Sequence, residues 1–174
     1  MAESGLYNGK MLPEFVFNTS TKNCLFFELN RIFENEFIIL FKEFLESKNI
    51  LSIAIKNLVP ELFLFEEEIS VNNFESSYNE ATQSKIEQNY IAGKASFYML
   101  VEQGIIFSNQ DKETFCIFLD REIWVAILAL KNVNDLNYFR KLDPINFIEY
   151  FNLTLGDLPG YAEYGEKLKS KWQY

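Results

Sequence analysis

At Gly104 the spacing of apolar residues changes from steps of three and four to alternation and unbroken apolar runs. This switch constrains the fold more than any other feature of the chain. Steps of three and four line up side chains along one stripe of a helix, whereas a period of two lines them up on one face of a strand. Upstream, in the segment 23–48, Leu25, Phe26, Leu29, Ile32, Phe33, Phe37, Leu40, Phe41, Phe44 and Leu45 form one wide stripe, with Glu28, Arg31, Glu34, Lys42 and Glu46 mainly opposite. The spacing predicts a long helix there, with Thr19, Ser20 and Thr21 offering N-cap side chains. A second long helix is predicted over 78–103, burying Tyr78, Ala81, Ile86, Tyr90, Phe97, Leu100 and Val101. Gly93 weakens it, and Gly104 reads as its C-terminal cap.

Downstream, the runs 105–107, 115–119 and 123–130 read as three strands, separated by polar turns at 109–113 and 120–122, which makes an antiparallel meander. The last run is apolar enough for a central strand covered on both faces, with a buried helix as the alternative. Phe37, Phe41, Leu119 and Trp124 are expected in the core. Short strands are read at 14–17 and 62–65, a strand or short helix at 50–55, and a loop at 71–77. Short helices follow: one capped by Asn134 or Asp135 and running to Leu142, one started by Asp143-Pro144, and a basic one over 164–172. The expected fold is α+β: a small antiparallel sheet, with its meander near 105–130, packed against two long helices, with short C-terminal helices. A single domain, 1–174, with a loose N-terminal arm over about 1–12, accommodates all of it.

Composition excludes several chemistries. At 48% hydrophobic and 17% aromatic residues the chain has ample core material. It contains no histidine, which removes Ser-His-Asp and Cys-His nucleophilic sites and imidazole-ligated zinc. No phosphate cradle, nucleophile elbow or Cys-x-x-Cys pair is present, so no cofactor is indicated. The net charge of −9 argues against nucleic acid as a partner, because phosphate contacts need clustered Lys and Arg. No apolar run approaches the roughly 20 residues of a membrane span, and the polar start lacks the pattern of a secretory signal. A cytoplasmic location is therefore expected, with Cys24 and Cys116 reduced and buried.

Two groups of residues suit a protein contact. The first is acidic: Glu66, Glu67 and Glu68, with Asp120 and Glu122 at the second turn of the meander. Adjacent carboxylates on a strand alternate faces and do not converge on one metal ion. Asp111 and Glu113 sit at the other end of strand 115–119, ~16 Å or more from Asp120 and Glu122, too far for a catalytic pair. The second group is aromatic and C-terminal: Tyr161, Tyr164 and Trp172. These residues join large apolar area to a polar tip, although pinning the last helix to the body would use them equally well.

The reading that combines these features is an acidic, protein-binding inhibitor or regulator of a basic partner, such as a nuclease-like toxin. Small acidic α+β proteins of this type are the usual form of bacterial toxin-immunity proteins, and excess negative charge speeds encounter with a basic protein. The alternatives are a histidine-free enzyme using carboxylates or a metal, and an oligomeric ligand-binding or structural module.

Overall fold

The computed structural model describes residues 5–12, 14–59, 66–79 and 103–172. Six strands form one antiparallel sheet: β1 (Cys24–Glu28), β2 (Ser52–Val59), β3 (Glu66–Ser70), β4 (Gln103–Ser108), β5 (Phe115–Asp120) and β6 (Val125–Leu130). Their order is β1-β6-β5-β4-β2-β3. Four α-helices are described, α1 (Asn35–Ser47), α2 (Phe74–Asn79), α3 (Phe147–Thr154) and α4 (Ala162–Lys171), along with several short 3-10 turns. The α+β fold expected from the sequence is the observed one, and β4, β5 and β6 are the meander.

Every residue of β5 and β6 is buried, because both faces of the sheet are covered. One face carries Ile55, Ile106, Ile117, Leu128 and Phe27, and packs on Phe37, Phe41 and Phe44 of α1 and on Phe74 and Phe139. Phe41 makes an edge-on contact with Phe115 at 5.2 Å between ring centres, and Phe37 with Phe27 at 5.8 Å. The other face carries Phe26, Ala54, Ile105, Phe118 and Ile127. It is covered by the N-terminal segment and by α3 and α4. Two-sided burial explains why the run ending at Leu130 is uniformly apolar yet extended.

The long helix expected over 23–48 is shorter. Residues Cys24–Phe27 are consecutively buried in β1, and Leu29–Phe33 form a 3-10 turn, so α1 starts only at Asn35. A strand buried on both faces places apolar residues at neighbouring positions, and Leu25, Phe26 and Leu29 then also fit a helical stripe. The end of α1 near Lys48 is as read: Asn49 adopts φ 55°, and Ile50 N–H returns to Leu45 C=O at 2.9 Å, a left-handed helix stop. The predicted second helix falls largely on residues 80–102, outside the described residues. Of its ends, Tyr78 is helical in α2, but Gln103 and Gly104 are strand residues of β4.

Other local readings change as well. The segment taken for a loose arm packs onto the sheet, with Leu6, Tyr7 and Leu12 buried. The strand read at 14–17 is reduced to a single bridge between Tyr7 and Phe17. Of the segment 50–55, Ser52 onward is strand and opens β2, and 71–77 is a 3-10 turn leading into α2 rather than a loop. The run 62–65 lies outside the described residues. After β6 the chain makes 3-10 turns capped by Asn132 instead of an α-helix. Asp143, at φ 52°, does not start α3; Asn146 does, accepting the backbone N–H of Glu149 at 3.2 Å. Cys24 and Cys116 are both buried and unbridged. They pair with the same residue, Ala129 of the intervening β6, so one strand separates them.

Candidate functional site

The β5–β6 turn, residues 121–124, closes one end of the sheet, and four of the residues singled out in the sequence meet beside it. Asp120 ends β5 opposite Gln103, the first residue of β4. Directly opposed residues in an antiparallel pair share a face. Gln103 Nε2–H donates to Asp120 Oδ2 at 2.5 Å, and the backbone N–H of Ile123 donates to Oδ1 at 3.1 Å. The second bond ties the turn to the strand through a short polar side chain. The residue is only 1% exposed. Burial pushes its carboxyl up to about 6; the hydrogen bonds from Ile123, Gln103 and the Glu122 backbone oppose that rise, and the nearby charge of the Glu122 side chain adds to it. Gln103 Oε1 is buried with no hydrogen-bond partner among the described residues.

Tyr161 and Tyr164 approach the turn from the start of α4. The hydroxyl of Tyr161 donates to Glu122 Oε1 at 3.0 Å. Its phenol is held above the ordinary range, first by that bond and then by burial and the carboxylates of Glu122 and Asp120. Tyr164 is raised further, first by its deeper burial and then by Asp120 and Glu122. Its ring stacks on Phe151 of α3 at 5.8 Å and meets Tyr161 edge-on at 6.2 Å. Gly165 makes this approach possible, since a Cβ there would come within 2.6 Å of Phe151 Cε1. The two tyrosines are thereby fixed over the turn.

The residue that the sequence misplaced is Trp124. It was expected in the core, as part of the apolar run 123–130, but it is 37% exposed with φ 57°. That left-handed conformation costs a residue with a bulky side chain about 1–2 kcal/mol. It is held by three contacts. Its carbonyl accepts Leu29 N–H at 2.9 Å and the Tyr150 hydroxyl at 3.5 Å, and its indole Nε1–H donates to Asn30 Oδ1 at 2.8 Å. Nothing in a residue type favouring strands signals a positive φ, so periodicity extended the strand through it. Gln103 and Tyr150 were missed for a similar reason, because their place depends on strand pairing and on the packing of α3.

The remaining flagged residues lie elsewhere. Glu66, Glu67 and Glu68 are in β3, an edge strand three strands from β5. The Glu68 carboxylate is held below its ordinary range by hydrogen bonds to Ser52 and Asn109, at the end of β2 and β4 away from Asp120. The acidic residues therefore do not make one face. Asp120, read as part of such a face, is buried. Trp172 is fully buried between Phe15, Phe26 and Phe147, at 4.7, 5.7 and 5.7 Å between ring centres. It pins the end of α4 to the sheet and is not a contact residue. Asp111, at the other end of β5, accepts the Glu113 N–H and the Thr114 hydroxyl, which is turn chemistry.

A partly exposed tryptophan ring and half-buried tyrosine rings beside a carboxylate suit an arginine or lysine of another protein, which gains both a cation–π contact and a charge-assisted hydrogen bond. Among the described residues, no group of three or more Cys, Asp or Glu is placed to hold a metal ion, and no helix is long and apolar enough to cross a membrane. Comparison of the chain with protein-family models, with curated proteins and with solved structures finds no match.

Proposed function

We propose that this chain is a cytoplasmic inhibitor or regulator that binds a basic protein, in the manner of a bacterial toxin-immunity protein, through the β5–β6 turn. The observation that carries this reading is Trp124. A large aromatic ring is kept partly exposed at a left-handed position, within two residues of Glu122 and its bond to Tyr161. Strained backbone persists where the surrounding structure enforces it and clusters at functional sites. Trp, Tyr and Arg dominate binding hot spots, and a Glu–Tyr pair already in place loses little further side-chain freedom on binding. The net charge of −9 supplies long-range attraction to a basic partner.

The experiment is affinity capture from lysate of the source organism, at low and high salt, on columns of wild type, W124A, E122Q/Y161F and E66Q/E67Q/E68Q. One stoichiometric basic partner should bind wild type and the triple variant. High salt should release it, and W124A and E122Q/Y161F should lose it. Retention on W124A with loss on the triple variant would move the contact to β3. Absence of any basic partner would end the inhibitor reading.

A further inference from the structure

We propose that a groove along the outer side of β1 binds a small amphipathic carboxylate of the fatty-acid kind, with Lys22 and Arg140 holding the carboxylate. β1 is an edge strand. Its outer side is bordered by the 3-10 turn Thr21–Asn23 before it and by the segment following β6, from Val133 to Asn146. Between them lies a groove of about 600 Å³, within the ~300–1,000 Å³ typical of small-ligand sites. Leu25, Phe26, Leu136 and Ile145 are among its apolar lining.

The charge of this lining is opposite to that of the chain. Acidic residues outnumber basic ones 25 to 16, yet among the described residues the only charged ones lining the groove are Lys22 and Arg140. Seven other cations, Arg31, Lys42, Lys48, Lys131, Lys167, Lys169 and Lys171, each pair with a carboxylate. Lys22 and Arg140 are exposed and make no ion pair among the described residues. An apolar trough with two uncompensated cations complements a ligand with an apolar body and one anionic end. Arginine supplies a forked donor set matched to a carboxylate, and lysine a mobile point charge.

The same geometry disfavours an added peptide strand. Ile145 N–H already donates to Phe26 C=O at 2.8 Å, which occupies the middle of the edge that an incoming strand needs for its ladder. A small chain-like ligand needs no such ladder.

The test is titration of the full chain with decanoate, read by calorimetry and by amide chemical shifts, with decanol and decyltrimethylammonium as comparators. Saturable one-site binding of decanoate is expected, with shifts confined to residues 21–26 and 133–146. Decanol should bind at least tenfold more weakly, and decyltrimethylammonium should not bind at this site. K22Q/R140Q should lose at least tenfold in decanoate affinity and leave decanol unchanged. These are exposed positions, and a melting curve verifies that the variant folds. The proposal is overturned if decanoate does not saturate, if the cationic amphiphile binds as well, if the shifts lie outside the groove, or if the double variant binds decanoate like wild type.

Discussion

Replacing Asp120 by Asn should stabilise the protein, and by an amount that grows with pH. The carboxyl of Asp120 is raised from 3.8 to about 6, chiefly by burial. Its folded-state value therefore lies above its unfolded one. Between these values the folded chain holds a proton that the unfolded chain releases, so stability is fully present below about pH 4 and is lost as pH rises through 6. At about 1.36 kcal/mol per pH unit, the ionised carboxylate costs the folded state up to about 3 kcal/mol at pH 7. Asparagine removes that charge and keeps the geometry. Its Oδ1 accepts the Ile123 N–H as before, and a flipped Gln103 amide turns its unpartnered Oε1 toward the new Nδ2–H. Urea unfolding followed by circular dichroism should then give near-equal stabilities for wild type and D120N at about pH 3.5, and a D120N advantage of roughly 2–3 kcal/mol at about pH 7.5. A difference independent of pH, or a D120N protein less stable at neutral pH, would refute the assignment of the buried charge. A chain that keeps such a carboxylate forgoes stability at that position, as functional sites commonly do.

Two further outcomes follow from the packing. Phe37 is fully buried against Phe27, Phe41 and Phe139, so Phe37→Ala should cost about 3–5 kcal/mol in urea unfolding; a loss below about 1 kcal/mol would place the ring at the surface. The chain has two tryptophans, and Trp172 is fully buried while Trp124 is 37% exposed; acrylamide should therefore quench a W172F protein strongly and a W124F protein weakly, and equal quenching would contradict the placement of Trp124.

The sequence by itself determined the α+β class, the meander, the second half of the first helix, the burial of Phe37, Phe41, Leu119 and both cysteines, and the excess of negative charge. These follow from local spacing and composition, which act residue by residue along the chain. The boundary between strand and helix near Glu28 was not legible there, because Leu25, Phe26 and Leu29 satisfy both periods until the sheet covers Cys24–Phe27 from two sides. The N-terminal segment looked loose because its few apolar residues gain a surface only once Phe118 and Lys112 are in place to receive Tyr7 and Leu6. Tertiary structure alone decided the candidate site. It separated Glu68 from Glu122 by three strands, drew Trp172 into the core and turned Trp124 out at a positive φ. It also set Tyr161, the residue before α4, against a turn 39 residues earlier. Contacts between residues so far apart in sequence depend on strand order and helix docking, and no local pattern of residues encodes those.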